Sequence, residues 1–168
     1  MKILGIIGGM SPESTATYYT EINRLVNQKK GGNISAPIVM VSVEFEEIVQ
    51  CQKQSEWQRA GEILAEAGKK LEMIGAEGIV LATNTMHKVA PQIERALSIP
   101  FLHILDATAD AIKSRGLNKV ALLGTKFTMS DNFYRDGLIV RGITPIVPNE
   151  SAQNEIHRII FDELCVGH

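Results

Sequence analysis

The sequence predicts an α/β fold built on doubly wound parallel sheets, and three observations predict it. Short apolar runs at residues 2–7, 37–43, 78–82, 101–104, 119–123 and 144–148 alternate with amphipathic helical patterns. Runs such as Ile79-Val80-Leu81-Ala82 are apolar throughout, as strands covered on both faces are. Several runs end directly in glycines or small polar residues, the place where an open α/β sheet binds its ligands. A length of 168 residues suits one large domain or two small ones.

The first strand, Ile3-Leu4-Gly5-Ile6-Ile7, runs into Gly8-Gly9-Met10-Ser11-Pro12-Glu13. The two glycines let the backbone turn sharply and let a ligand come close. Ser11 is a natural N-cap with Pro12 at the first helical position, and the helix continues to about residue 27 with Tyr18, Ile22, Leu25 and Val26 on one face. A Gly-Gly turn is weak evidence for a nucleotide. The three-glycine dinucleotide fingerprint and the phosphate-binding loop are both absent, so a small anion at the helix start is the more economical reading.

Residues 29–36 read as a loop and 37–43 as the second strand. Residues 44–55, including Cys51 and Gln52, read as a polar, irregular segment placed to reach over a strand end. Trp57, Ala60, Ile63, Leu64, Ala67, Leu71 and Ile74 then keep helical spacing over 56–74, and Gly75 stops the helix. The strand at 78–82 ends in Thr83, Asn84 and Thr85, which read either as holders of a carboxylate at a helix start or as the cap of that helix. The helix itself spans about 86–97, with Pro91 bending its first half. A short strand at 101–104 completes four β–α units.

A helix over 106–115 is stopped by Gly116, and a strand at 119–123 enters Gly124-Thr125-Lys126-Phe127-Thr128-Met129-Ser130. This segment matches the start of the chain: a Lys, an apolar strand, a glycine turn, then Met-Ser opening a helix. Such a match reads as an internal repeat. A helix over 133–140, a strand over 144–148 and a last helix over 150–165 follow. If the second half repeats the first, one more buried strand ending in a polar turn is expected, and the chain holds none.

Charge and composition narrow the function classes. A net charge of −2 and the absence of a basic run argue against nucleic acid. No apolar stretch approaches the ~20 residues of a membrane span, and no signal-peptide pattern opens the chain. Cys51 and Cys165 make neither a disulfide framework nor a metal-ligand spacing, and His87, His103, His157 and His168 are scattered. A cytoplasmic protein without bound metal is expected.

Four segments together carry a resemblance: Gly-Gly-Met-Ser-Pro-Glu-Ser-Thr at 8–15, Gln50-Cys51-Gln52, Thr-Asn-Thr-Met-His at 83–87 and Leu-Leu-Gly-Thr at 122–125. They resemble the aspartate/glutamate racemase family, closest to its bacterial broad-spectrum and L-aspartate/glutamate-specific members, and the likeness runs through the whole chain in order. The resemblance implies a cofactor-independent racemase, requiring no pyridoxal phosphate, that takes a small amino acid or dicarboxylate. It implies two similar α/β domains facing across a cleft, at 1–104 and 105–168, with one acid/base residue each. Homodimers are usual in the family. Thr83 is implied as the catalytic group of the first domain, and Met10, Gln52, Asn84 and Thr85 as substrate contacts. The Gly9 backbone, at a helix N-terminus, suits the same role. Thr125 and Thr128 are second-domain contacts by the same token, with a capping role for Thr128 equally open. His87 reads as a packed helix residue.

The chain also departs from the family pattern. Most members carry Cys where Thr83 stands, and a Gly-Cys-Thr-Glu turn in the second domain has no counterpart here. A thiol with a pKa of ~8.5 reaches its thiolate near neutral pH, whereas a Thr hydroxyl does not. The second domain is therefore expected to be incomplete, and acidic amino acids to be racemised poorly by this chain. The alternative is a non-catalytic relative that binds small carboxylates. A flavodoxin-like nucleotide domain would need a phosphate loop or aromatic clamp that the strand ends lack.

Overall fold

The computed structural model describes residues 1–167, so His168, counted above among the histidines and in the second domain, lies outside the described residues. The chain forms two compact units, Met1–Leu102 and the residues from His103 onward.

In the first unit, β1 (Leu4–Gly8), β2 (Ile38–Ser42), β3 (Gly78–Leu81) and β4 (Phe101–Leu102) make one parallel sheet in the order β2-β1-β3-β4. Ile7 pairs with both Val41 and Leu81, so the carboxyl ends of the three long strands finish level with one another. The strands are joined by α1 (Pro12–Lys30), α2 (Phe45–Lys53), α3 (Trp57–Met73) and α4 (Ala90–Ala96). Ser11 caps α1 by accepting the Ser14 N–H, with Pro12 in the first turn. The unit is doubly wound. An added Cβ at Gly68 of α3 would lie 3.6 Å from Ile7, whereas at Gly8 the next side chain met is Thr15 of α1. Successive strand residues point to opposite faces, so the two helices cover opposite sides of β1. Ile7, Ile79 and Leu81 from the sheet and Leu64, Ala67 and Leu71 from α3 form the core, joined by Met10, Ile48, Cys51 and Met86.

Several elements differ from the sequence expectation. Residues 44–55 are mostly helical, not irregular. The Glu44 carboxylate accepts the N–H groups of Glu46 and Glu47 and starts α2, which buries Ile48, Val49, Cys51 and Gln52. Two adjacent pairs three residues apart make one helical face, and the flanking polar residues hid it. The turn after β3 enters a 3₁₀ helix, Thr85–Val89, before α4 begins, and Asn84 makes no side-chain cap there. Pro91 sits in the first turn of α4, where a missing N–H costs nothing, and so starts that helix instead of bending it. The strand expected over 101–104 is cut to two residues because His103 turns out of it to cap the following helix.

The second unit holds a two-stranded parallel sheet, β5 (Lys119–Ala121) with β6 (Thr144–Ile146). Around it lie α5 (Ile104–Lys113), α6 (Lys126–Ser130), α7 (Asn132–Val140) and α8 (Glu150–Asp162). Its core is Leu105, Ala109, Leu122, Tyr134, Leu138 and Ile143. Met129 and Ser130 close α6 instead of opening a helix. The likeness between the two halves instead lies in glycine–threonine packing. The space above Gly8 is filled by the Thr15 side chain and that above Gly124 by Thr128, each Thr standing early in the helix after its strand. The last helix ends at Asp162, and Cys165 follows in a 3₁₀ turn, Leu164–Val166.

Among the described residues no helix is long and apolar enough to cross a membrane. No group of three or more His, Cys, Asp and Glu side chains among them could hold a metal ion.

Candidate active site

The strand order of the first unit marks where a ligand should sit. The chain steps from β1 to β2 on one side and then to β3 and β4 on the other, so the direction reverses at β1. Open parallel sheets bind ligands outside the carboxyl ends of the strands at this reversal. The turns after β1 and β3 flank it, and α2 follows β2 beside them. Side chains from all three meet in one cluster: Met10 after β1, Ile48 and Cys51 from α2, and Met86 after β3.

The turn after β1 is held by threonine. Thr15 Oγ1 accepts the Gly9 N–H at 2.8 Å and donates to the Ser11 carbonyl at 2.8 Å. Gly9 has φ +95°, and any side chain there would run into the backbone of Val43 at the end of β2. Ser14 Oγ lies 3.1 Å from the carbonyls of both Ser11 and Ala82 and so bridges toward the β3 turn. Neither Ser14 nor Thr15 stands out by residue type; their places early in a helix whose cap is Ser11 were the available signal. Thr15→Val, which keeps the shape and removes the hydroxyl, should cost about 1–3 kcal/mol by stranding a buried N–H. Thr15→Ser should cost less. Urea denaturation of the pair checks this, and the reverse order would show that the methyl group, not the hydroxyl, holds the turn.

The turn after β3 presents the expected polar residues unequally. Thr83 is half-buried, Asn84 exposed and Thr85 buried. Gln52 is only 5% exposed. Its Nε2 donates to the Met86 sulfur at 3.0 Å, a weak acceptor, and its Oε1 is enclosed with no hydrogen-bond partner in the protein. Met10 packs its side chain into the core, so the backbone is what it offers at the turn. His87 is 2% exposed and places Nδ1 2.7 Å from the Thr83 carbonyl, with its ring tilted against Phe101. Gly9 and Met10 after β1, Gln52 on α2, Thr83 and Asn84 after β3 and Thr85 at the start of the 3₁₀ helix thus all belong to one unit. Thr125 belongs to the other, where its Oγ1 caps α6 by accepting the Thr128 N–H.

Burial disfavours a thiolate at Cys51 in this structure. Burial is the main influence on the Cys51 thiol and pushes its pKa up; the nearby Arg59 charge offsets this in part, while Glu56 and Glu47 add to it. Cys165 is partly buried in the 3₁₀ turn beyond α8. A shallow surface depression lies elsewhere, lined by Tyr19, Asn23, Arg24, Asn27 and Ile34 among others. The Asn23 and Asn27 amides are used internally, since Asn23 accepts the Ala36 N–H and Asn27 donates to Gly32 and Ile34 carbonyls. The switch point is the better candidate.

The chain is similar to known proteins over most of its length. Residues 7–165 match the family model described as Asp/Glu/Hydantoin racemase. The broad specificity amino-acid racemase RacX of Bacillus subtilis is 25% identical over 160 residues, covering 94% of this chain and 69% of that protein. Among solved structures, an Asp/Glu racemase candidate from Yersinia pestis is 50% identical with a TM-score of 0.91, over 99% of this chain and 73% of its own. An aspartate racemase homologue from Pyrococcus horikoshii is 40% identical with a TM-score of 0.84, over 100% of this chain and 74% of its own. The aspartate racemase of Picrophilus torridus is 25% identical with a TM-score of 0.76, over 98% and 71%.

Proposed function

The chain belongs to the Asp/Glu/Hydantoin racemase family, and from that premise we propose that it acts on aspartate or glutamate by proton exchange at the α-carbon, without a cofactor. Family membership supports amino-acid racemase activity; the acidic side chain and the two-base route are the finer part of the reading. The observation that carries it is the Gln52 amide oxygen, buried without a partner beside the turns that flank the switch point. A buried acceptor left unpaired costs about 1–3 kcal/mol. With the loops parted to admit it, the ammonium group of an amino acid would supply the missing donor and its carboxylates would lie at the start of α1; the Gly9 and Thr83 N–H groups are already bonded to Thr15 Oγ1 and the Leu81 carbonyl. Thr83 would then serve one face of the α-carbon as an acid or relay. A hydroxyl does not accumulate as a base near neutral pH, and burial raises the pKa of the Cys51 thiol, so turnover that rests on Thr83 alone is slow.

A second reading is favoured by the same cysteines. With the Cys51 thiol buried and Cys165 in a turn beyond α8, the site would bind small carboxylates without turning them over. One pair of measurements separates the two readings. Calorimetry with succinate, aspartate and glutamate at millimolar concentration should release heat under either reading. Loss of the α-proton signal in D₂O, followed by NMR from each enantiomer, should occur only under the first, faster for aspartate and glutamate than for alanine or leucine. Heat without exchange selects the binder, and no heat in a folded sample removes the site altogether.

A further inference from the structure

Three successive carbonyls of the turn after β3 have named hydrogen-bond donors. The Ala82 carbonyl is 3.1 Å from Ser14 Oγ, the Thr83 carbonyl 2.7 Å from His87 Nδ1, and the Asn84 carbonyl accepts the His87 backbone N–H at 3.1 Å. His87 therefore holds two of the three. A carbonyl oxygen can only accept, so a contact of 2.7 Å requires the hydrogen to sit on Nδ1. The ring has little freedom to leave, being 2% exposed and tilted against Phe101 at 5.7 Å between ring centres. The backbone after Thr83 runs straight into the 3₁₀ helix that carries His87, four residues on. A bond across that interval closes the turn on itself and fixes the peptide to which the Thr83 side chain is attached.

We propose that His87 is a positioning residue: through an Nδ1–H bond to the Thr83 carbonyl it aims the Thr83 hydroxyl at the substrate's α-carbon. The inference deepens the reading of Thr83 as an acid/base group and rests on it. Its physical basis is that proton transfer needs the donor within hydrogen-bond reach, and a displacement of about 1 Å can cost on the order of 10²-fold in rate. His87 does not touch the substrate in this account. A histidine that merely filled space against Phe101 would be replaceable by any ring of similar size. A histidine that positions Thr83 would be replaceable only by a side chain with a donor in the Nδ1 place. Asparagine has one, since its Nδ2 is attached to the γ carbon as Nδ1 is in histidine, and phenylalanine has none.

The test uses the whole chain labelled with ¹⁵N and ¹³C. A proton bound to His87 Nδ1 is expected, and an unprotonated Nδ1 overturns the proposal. In His87→Phe the Thr83 carbonyl ¹³C resonance should move, while in His87→Asn it should stay close to its original place. Equal shifts in both variants overturn the proposal, and this reading needs no activity. The rate is then measured as α-proton exchange from aspartate in the Thr83→Cys background, where exchange is expected to be fastest. His87→Phe should lower kcat by roughly 10²-fold with KM little changed, and His87→Asn should stay within about threefold of the parent. Equal rates for Phe and Asn overturn the proposal. Absence of exchange in every variant rejects the racemase reading instead, and the Thr83 carbonyl shift still decides whether His87 sets that turn.

Discussion

Thr83→Cys should raise α-proton exchange from one enantiomer of aspartate by about 10²–10⁴-fold, the range over which a well-placed general base acts. Thr83 occupies the half-buried end of the turn after β3, at the switch point of the sheet, so a thiol there inherits the same approach to a bound amino acid. A thiol ionises at a pKa of ~8.5, within reach of neutral pH, and its thiolate is a competent base, whereas the threonine hydroxyl can at best donate or relay a proton. Thr83→Ala should lose exchange from both enantiomers. In a protein with a thiol on one face and Thr83 on the other, the two directions should differ in kcat. The two enantiomers have equal energy, so kcat/KM must be the same in both directions and the slower one must show the lower KM. NMR of each enantiomer separately in D₂O, for the parent, Thr83→Cys and Thr83→Ala, makes the measurement. Unchanged exchange in Thr83→Ala, or no gain in Thr83→Cys while aspartate still binds, would leave Thr83 a structural residue of the turn.

Gly9→Ala should destabilise the first unit by on the order of 3–5 kcal/mol, adding backbone strain at positive φ to overpacking. Gly9 has φ +95°, and an added Cβ would press on the Val43 carbonyl and lie 2.8 Å from both Ser42 Oγ and the Val43 nitrogen. Something must move, and the nearest movable part is the end of β2, tied to β1 by the Val43 N–H bond to the Gly8 carbonyl at 2.9 Å. Typical domains are stable by only about 5–15 kcal/mol, so a large share of the folded population is at risk. Gly31→Ala supplies the comparison. Gly31 has φ +78° and ψ 178°, a backbone region confined essentially to glycine, but open space around the added Cβ, so it should cost about 1–3 kcal/mol of backbone strain alone. Urea unfolding of both variants isolates the close approach from the strain, and equal losses would show that the β2 end yields freely. Where Gly9→Ala still folds, weaker succinate binding is expected, because the turn it distorts is one wall of the proposed site.

How much of this was legible before folding depends on how local each cause is. Strands β1 and β3 announce themselves as continuous apolar runs, because a strand covered on both faces has no polar side to show, and β2 reads the same way although it is an edge strand with Met40 exposed. The Ser11–Pro12 start of α1 and the long α3 are also local, set by a cap, a proline and a repeating apolar face. The turns at 8–11 and 83–85 could be named as candidates because polar residues follow directly on buried strands. Helix α2 was missed because its start depends on the Glu44 carboxylate folding back onto two N–H groups, and its buried face becomes apolar only against Met10 and Met86. The short β4 was overdrawn because His103 has no strand or helix preference strong enough to reveal that it caps α5.

The sequence by itself determined the alternating strands and helices, the places where glycine was required and the family resemblance, all of which rest on residue type and spacing. Only the tertiary structure decided the strand order β2-β1-β3-β4, and with it which turns lie beside the switch point. It alone brought Gln52 from α2 against Met86 after β3, 34 positions away, and left its amide oxygen without a partner. It alone turned Thr15 toward Gly9 and His87 toward the Thr83 carbonyl. The reason is physical: a residue's own conformational preference is a matter of neighbours in the chain. Whether a polar atom ends up satisfied, buried or available to a ligand is settled by groups that meet only when the sheet forms.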